Sequence, residues 1–160
     1  MPFPTAADID ALLERLERGP ARYAALLRGR DEAELTRRPA PDAWSPREVL
    51  AHVRAGDDLL TNRLYIILSR DNPPFIEVDE RRWGEVAGYV DYPLDLLLDS
   101  YALRRRELLL MLRRIERNAW KRTGEHAKRG RMTVYTIARH IADHEEEHLH
   151  QIEAALGAHA

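Results

Sequence analysis

The sequence predicts an all-α protein that folds as one four-helix bundle domain over residues 1–160. Four long stretches repeat apolar residues at three- and four-residue spacing, which is the period of an amphipathic helix. No stretch alternates apolar and polar residues convincingly as a strand does, and no repeat or linker divides the chain. A chain of 160 residues, of which 44% are hydrophobic, is long enough to bury a core.

The first helix is predicted from about Thr5 to Leu27. Its apolar face consists of Ile9, Leu12, Leu13, Leu16, Tyr23, Leu26 and Leu27. Gly19-Pro20 interrupts this pattern, and we expect a kink or a break there because proline has no N–H to donate to the preceding turn. A short turn of helix is predicted at residues 31–36, before the next prolines.

The second helix has the clearest start, because Ser45-Pro46-Arg47-Glu48 forms a capping box with proline at the first helical position. It should end near Arg70, and its buried stripe consists of Val49, Val53, Leu60, Leu64 and Ile67. A long loop over residues 71–92 is predicted to join the second helix to the third. Such a loop in a compact domain is often functional, and the alternative is a simple crossing at the end of the bundle.

The third helix is predicted to start near Pro93. Its apolar series is Leu94, Leu98, Tyr101, Leu108, Leu112 and Ile115. Arg105 stands where this series calls for an apolar residue. Pairing with a glutamate of the fourth helix, or extension of the side chain to solvent, is favoured over binding of a substrate anion.

The fourth helix is predicted from about Thr133, a good N-cap, towards Gly157. Its inward stripe consists of Val134, Ile137, Ile141, His144, His148 and Ile152. Two further histidines, His150 and His159, are expected to face solvent.

Composition excludes several classes of function. The net charge is −2, from 25 basic and 27 acidic residues, and neither nucleic acid nor a membrane is indicated as a partner. The absence of cysteine excludes disulfides, cysteine-type zinc sites and thiol nucleophiles. The N-terminal residues lack the pattern of a signal peptide, and no apolar run is long enough to cross a membrane. We expect a cytoplasmic protein.

His144 and His148 are the most informative residues, because four-residue spacing puts both imidazoles on one helix face. Histidine pairs at this spacing are more often surface or core residues than ligands. The prediction of a metal site therefore depends on whether a third ligand is present. His52 lies at the edge of the buried stripe of the second helix. If the second and fourth helices are neighbours, the three imidazoles can bind a divalent metal and leave a fourth position open, as in catalytic sites. Without sulfur ligands, Zn²⁺, Ni²⁺ and Fe²⁺ all suit such a site.

The same residues match the H-E-x-x-H motif of zinc proteases, in which Glu145 would be the general base. The long form of that motif requires glycine and histidine where this chain has Gln151 and Ala154. Only twelve residues follow His148, which leaves no room for the distant third ligand of other zincins. A zincin protease is therefore disfavoured.

A di-iron carboxylate centre is disfavoured as well. Glu145 and His148 supply one Glu-x-x-His motif, but the site requires a second copy on another helix. Glu48 and His52 are four residues apart instead of three.

Two blocks of sequence resemble the DinB/YfiT-like superfamily of metal-dependent four-helix bundle proteins. One is Trp44-Ser-Pro-Arg-Glu-Val-Leu-Ala-His52, and the other is the stretch from Gly130 to Ile152 with its H-x-x-x-H pair followed by Gln-Ile. The resemblance implies a metal triad of His52, His144 and His148. It also implies a homodimer and transfer or isomerisation reactions that use low-molecular-weight thiols. Many members have no assigned activity, and the family name does not imply DNA binding.

Four further residues have two interpretations each. His140 could replace His52 as a ligand but is placed second, and His126 is more simply a solvated loop residue than one overhanging the site. Asp57 and Asp143 could accept hydrogen bonds from ligand imidazoles or be surface charges. The tryptophans are expected to be core and loop anchors: Trp44, Trp83 and Trp120.

Taken together, these patterns predict a metal-dependent enzyme with an open three-histidine site. The metal would be Zn²⁺ or Ni²⁺, with Fe²⁺ as a third candidate, and the substrate a small molecule. The reaction would be hydrolysis or transfer of a low-molecular-weight thiol. The alternative is a non-catalytic, stress-related dimeric bundle that binds a metal or small ligand, and an inaccessible triad would favour that alternative.

Overall fold

The computed structural model describes residues 3–157, and four long helices dominate it. The helices of this region are α1 (Ala6–Leu27), α2 (Glu32–Thr36), α3 (Pro46–Ser69), α4 (Glu80–Ala87), α5 (Leu94–Arg114) and α6 (Val134–Gly157). Two 3₁₀ turns, Tyr89–Asp91 and Arg117–Lys121, and a hairpin of strands β1 (Thr123–His126) and β2 (Gly130–Thr133) complete it. His159 lies outside the described residues.

The long helices α1, α3, α5 and α6 form a four-helix bundle, as predicted. Going around the bundle, α1 contacts α5, α5 contacts α3, α3 contacts α6, and α6 returns to α1. The first two long helices, α1 and α3, therefore lie diagonally across the bundle instead of side by side. This arrangement places α3 directly against α6, which is the pairing that the histidine prediction requires.

The predicted helix starts are confirmed by their caps. The Ser45 hydroxyl accepts a hydrogen bond from the backbone N–H of Glu48, whose carboxylate accepts one from the N–H of Ser45. The hydroxyl of Thr133 likewise accepts from the N–H of Thr136, 3.0 Å away, at the start of α6. These caps fix the chain positions from which His52 and His144 project.

The break predicted at Gly19-Pro20 is wrong, because α1 runs through both residues. Proline at position 20 leaves the carbonyl oxygen of Leu16 without its helical donor. Arg105 of α5 fills that place, donating from Nη1 to the Leu16 oxygen at 2.9 Å. A Cβ at Gly19 would lie only 2.8 Å from a carboxylate oxygen of Glu145. Glycine at this position therefore leaves the space that the Glu145 side chain occupies. Gly19 and Pro20 therefore allow the buried side chains of Glu145 and Arg105 to pack against α1.

The predicted long loop between α3 and α5 contains the short helix α4 and a 3₁₀ turn. Helix α4 is eight residues long and buries none of them, so its apolar pattern is too short to be recognised in the sequence. Asp79 caps it by accepting from the N–H of Arg82 at 3.0 Å. The following turn is held to α3, because the Tyr89 hydroxyl donates to Asp58, which also pairs with Arg54 at 2.6 Å. The connection is therefore an ordered cover on the α3 side of the bundle.

The expectation that the chain contains no strand is also wrong, because β1 and β2 form an antiparallel hairpin before α6. Its strands are only four residues long, too short for an alternating pattern to be recognised. Phe75 joins it from the preceding connection, donating its N–H to the carbonyl oxygen of Glu125 at 2.8 Å. A Cβ at Gly124 would lie 2.5 Å from the Phe75 ring, so this packing requires glycine.

No helix of residues 3–157 is long and apolar enough to cross a membrane. Most residues of the predicted apolar stripes are buried, and Leu16, Leu64, Leu108 and Ile152 are fully inaccessible to solvent. The apolar stripe residues that are only partly buried are Leu13, Leu26, Leu94 and Ile115.

Candidate metal centre

Three histidines from two neighbouring helices meet in the bundle. His52 lies on α3, and His144 and His148 lie one turn apart on α6. All three side chains are half-buried, and one ring nitrogen of each lies within 4.8 Å of those of the other two. Their predicted convergence is confirmed, while metal binding at these nitrogens stays a prediction.

The three imidazoles point their Nε2 atoms at a common centre. The Nε2 atom of His144 lies 3.1 Å from Nε2 of His52 and 3.1 Å from Nε2 of His148. Nitrogen ligands held at about 2.0–2.1 Å by a tetrahedral ion are themselves about 3.3 Å apart. The two separations from His144 lie within a few tenths of an ångström of that value, and all three nitrogens lie within 4.8 Å of one another, so the donors can share a single ion.

Gln151 orients one of the imidazoles. Nδ1 of His148 donates a hydrogen bond to Oε1 of Gln151, 2.8 Å away on the next turn of α6. With its proton on Nδ1, His148 presents the lone pair of Nε2 to the centre of the cluster. Partners of this kind fix the tautomer and ring orientation of metal-binding histidines.

The environment of His144 and His52 favours their neutral form. Burial lowers the pKa of His144 to about 3, and the neighbouring His148 and His52 add to the effect. Burial also lowers the pKa of His52, and the neighbouring His148 lowers it further. The negative charge of Glu80 opposes both effects. A neutral imidazole is the form that binds a metal, so no proton needs to be displaced near neutral pH.

Two residues outside the triad shape the space around it. Gly56 lies one turn after His52, and a Cβ added there would come within 3.2 Å of Cε1 of His144. Trp44, just before α3, packs its ring against the cluster, with centroids 4.7 Å from the His52 ring and 6.3 Å from the His148 ring. Trp44 therefore forms a wall of the site, beyond the anchoring role that the sequence predicted. Trp120 is a core residue as expected, with 3% of its surface exposed.

An open cavity of about 290 Å³ reaches the triad at His52. It lies between the start of α3 and the short helix α4, and its walls include Trp44, Ala51, His52, Ala55, Glu80 and Gly84. We call it the tryptophan cavity. It gives a small molecule access to the triad at His52, which the alternative of a sealed, non-catalytic triad does not provide.

A buried ion cluster occupies the bundle beside the histidines. Arg105, 1% exposed, donates from Nη1 to Oε2 of Glu145 at 2.8 Å and from Nη2 to Oδ1 of Asp57 at 2.9 Å. The Tyr101 hydroxyl donates to the other carboxylate oxygen of Glu145, and the Tyr23 hydroxyl donates to the Glu145 carbonyl oxygen at 2.8 Å. The prediction that Arg105 pairs with a carboxylate of the fourth helix is confirmed.

This cluster settles the other roles proposed for its members. Glu145 is committed to Arg105 and Tyr101, which explains why an H-E-x-x-H motif is present without the arrangement of a zincin. Burial raises the pKa of Glu145, and Arg105 opposes that shift. Asp57 accepts from Arg105, so the suggestion that it orients an imidazole is wrong. Asp143 is a surface charge, which was the second of its two interpretations, and it pairs with Arg15 at 2.8 Å.

The remaining histidines lie outside the cluster. Nε2 of His140 accepts a hydrogen bond from Nη1 of Arg129 at 3.2 Å, since arginine can only donate. His140 therefore turns this nitrogen away from the triad, which agrees with its second place behind His52. His126 lies on β1 and accepts from the backbone N–H of Lys128 at 3.1 Å, while His150 is exposed.

Sequence reasoning did not single out Gly56, Trp44 or Gln151 as parts of the site. A glycine in the interior of a helix was the available signal for Gly56, because that position is unfavourable unless packing requires it. Gln151 carried the i,i+3 spacing from His148 that places it on the same helix face.

Comparison with known proteins agrees with this architecture. The model of the DinB superfamily matches residues 15–152. The chain belongs to the DinB superfamily. No curated protein matches this DinB superfamily chain significantly.

Two solved structures resemble this DinB superfamily protein closely enough to compare folds. YfiT from Bacillus subtilis superimposes with a TM-score of 0.87 at 18% identity, over 95% of this chain and 87% of that one. It is described as a probable metal-dependent hydrolase with an unusual four-helix bundle topology. The four-helix bundle protein TT2238 superimposes with a TM-score of 0.64 at 25% identity, over 91% of this chain and 98% of that one.

Proposed function

We propose that this DinB superfamily protein is a metal-dependent enzyme that holds a divalent ion on His52, His144 and His148 and acts on a small molecule. The observation that carries the proposal is the convergence of the three Nε2 atoms, at separations of 3.1 Å from His144, beside a cavity that reaches His52. A catalytic metal site of this kind has three protein ligands and a fourth, open position.

The donor set supports Zn²⁺ or Ni²⁺, with Fe²⁺ as a third candidate, because three neutral imidazoles without sulfur suit all of these ions. A divalent ion at three imidazoles lowers the pKa of a water or thiol in its fourth position towards neutrality, which provides a nucleophile. The protein supplies the fixed imidazoles, the hydrogen bond from His148 to Gln151, and the tryptophan cavity in which a substrate would lie next to His52.

Glu80 is the residue that we assign as proton acceptor. Three carboxylates line the tryptophan cavity: those of Glu48, Glu80 and Glu85. Glu48 pairs with Arg38 and caps α3, and Glu85 pairs with Arg82 at 3.0 Å. Within residues 3–157, Glu80 makes no hydrogen bond or ion pair through its side chain, and its charge acts on His52. A carboxylate left free beside the nucleophile can take up its proton.

Hydrolysis is the reaction favoured by the resemblance to YfiT, which is itself described as a probable metal-dependent hydrolase. Thiol transfer at the same centre is the second candidate. The chain has no cysteine, so any thiol nucleophile must be a small molecule bound from solution. One set of assays can therefore separate the two reactions by omitting or adding a thiol.

The test is a panel of small esters, amides and electrophiles, assayed with and without low-molecular-weight thiols. Wild-type protein should turn over at least one class, and a chelator should abolish that activity until Zn²⁺, Ni²⁺ or Fe²⁺ is restored. Glu80→Gln should lower turnover about 10²-fold while the metal content is kept, and Glu85→Gln is the matched control in the same cavity. Activity that is insensitive to chelation would contradict the proposal.

We also propose that two copies of the chain pair through α5. Leu96, Leu103 and Leu110 are seven residues apart on one face and are 52%, 56% and 66% exposed. Asp99, beside this stripe, is paired with Arg28 of its own chain, so the three leucines are the part of the face that a second copy would cover. An antiparallel pair of α5 helices would bury the stripe of one copy against that of the other.

A further inference from the structure

A second cavity, of about 530 Å³, lies between the connection before α4 and the tip of the β1–β2 hairpin. We call it the arginine cavity. The basic side chains in its walls are Arg63, His126, Lys128 and Arg129, and the acidic ones are Glu77, Asp79 and Glu80. Glu80 borders both this cavity and the tryptophan cavity, so the two spaces adjoin at one residue of α4.

Arg63 is the unusual member of this group. It lies on α3 with only 7% of its surface exposed, yet it makes no hydrogen bond or ion pair within residues 3–157. Its guanidinium group lies over the Phe75 ring, 5.7 Å from the ring centroid, and lines the arginine cavity. The body of the side chain is buried, but its guanidinium nitrogens keep contact with solvent in the open cavity. Their N–H donors therefore face the cavity without an acceptor from residues 3–157.

The acidic side chains around the cavity do not supply that acceptor. Glu77 pairs with Lys128 at 3.5 Å. Asp79 caps α4 through its hydrogen bond with the N–H of Arg82. Burial lowers the pKa of Arg63, and the charge of Glu80 only opposes that shift, because Glu80 lies beyond ion-pair distance from it. The open side of the cavity therefore remains the place from which an acceptor can reach Arg63.

Arg129 connects this cavity to the histidine cluster. Its Nη1 atom donates to His140, whose ring centroid lies 6.1 Å from that of His144. Arg129 and Arg63 influence each other electrostatically across the cavity, and both act on His126. Arg129 therefore lines the arginine cavity and also contacts the helix that carries His144, on which its charge acts.

We propose that the arginine cavity binds the anionic group, a carboxylate or phosphate, of a substrate whose reactive part lies at the three histidines. Arg63 would hold the anion from the floor of the cavity through its planar pair of N–H donors, and Arg129 would close over it from the hairpin. This assignment rests on the proposed function for the position of the reactive part, but binding of an anion at Arg63 can be measured on its own.

The test uses inorganic phosphate and succinate as probes, titrated by calorimetry into the protein as purified and again after chelation. Both probes should bind before and after chelation. Arg63→Gln and Arg129→Gln should each weaken binding at least about tenfold, because each removes a charged donor. Arg63→Lys keeps the charge but loses the planar pair of N–H donors, so its affinity for the anions should lie between those of wild type and Arg63→Gln. The matched control is Arg37→Gln, an exposed arginine outside both cavities, which should bind as wild type does.

Melting temperatures identify any variant that fails to fold, and the exposed Arg129→Gln carries the test if buried Arg63→Gln does so. Wild-type protein that binds neither probe overturns the inference. So does binding that disappears on chelation and is unchanged in Arg63→Gln and Arg129→Gln, because the anion is then on the metal. Elemental analysis of the same samples separates the two proposals: arginine-dependent anion binding by protein that holds no metal as purified, and takes up none on incubation with Zn²⁺, Ni²⁺ and Fe²⁺, supports the arginine cavity and contradicts the metal centre.

Discussion

Gly56 of α3 lies directly against His144 of α6, where a Cβ atom would come within 3.2 Å of the imidazole Cε1. The glycine is placed in the middle of a helix, a position where alanine is ordinarily more stable by about 1 kcal/mol. Its presence is explained by the room that His144 needs to bring Nε2 towards the other two imidazoles. A side chain larger than glycine at position 56 of α3 would therefore change the position of His144 in the histidine cluster.

Gly56→Ala should therefore weaken metal binding without unfolding the protein. The added methyl group displaces the His144 ring by a few tenths of an ångström, while the helix itself gains propensity. Competition with a chromophoric chelator measures the affinity, and urea denaturation measures stability. Gly157→Ala is the control, because nothing lies within 4 Å of a Cβ there. Wild-type affinity in Gly56→Ala would show that this contact does not position His144.

Arg105→Met should destabilise the fold by about 3–5 kcal/mol, because Glu145 and Asp57 would be left buried without their cation. The loss includes the hydrogen bond to the Leu16 carbonyl oxygen that Pro20 leaves open. Urea denaturation after chelation measures this effect apart from metal binding. Arg106→Met, one residue along on the exposed face, should change stability little. Equal stability of the two variants would contradict the structural role of the cluster.

The metal-free protein should lose stability as the pH falls below 6.5. An unfolded histidine takes up a proton near that pH, whereas His144 in the folded protein has a pKa of about 3, so acid favours the unfolded chain. At pH 5 this difference amounts to about 2 kcal/mol. His144→Asn removes it, and the pH dependence of wild type minus variant, from urea denaturation between pH 7.5 and 5, isolates the effect. Parallel pH profiles would show that His144 is not protected from protonation.

Leu103→Glu should convert a dimer into a monomer, because it puts a charge at the centre of the exposed leucine stripe of α5. Sedimentation equilibrium gives the mass of each species. Ile76→Glu is the control, since Ile76 is 81% exposed but lies on the connection before α4. Wild-type protein that sediments as a monomer would refute the proposed pairing.

The parts of this fold that follow from repeated patterns were predictable from sequence. The stripes of the long helices and the cap at Ser45 located α1, α3, α5 and α6 to within a residue or two. His52 could be joined to His144 because both lie on inward stripes. Helix α4 and the hairpin were not predictable, since α4 buries no residue and each strand has only four.

The interior of the site depends on contacts between residues that are far apart in the sequence, and no local sequence pattern indicates such contacts. The continuity of α1 through Pro20 requires Arg105, which is 85 residues further along and reaches the orphaned carbonyl only after α1 and α5 pack. Arg63 likewise looks like an ordinary helix residue until the hairpin and the connection before α4 enclose it. Arg105 interrupts an apolar series in the sequence and Arg63 does not, and only the packing shows that Arg105 is paired with carboxylates while Arg63 faces a cavity.

The most direct test of the central claim is the metal content of protein purified without a histidine tag, measured by elemental analysis beside two variants. Wild type and His150→Ala, a control at an exposed histidine of α6, should each hold about one divalent ion per chain. His148→Ala should hold little or none, because it removes one of the three Nε2 donors. Equal metal content in wild type and His148→Ala, or no metal in wild type even after incubation with Zn²⁺, Ni²⁺ and Fe²⁺, would contradict the three-histidine centre.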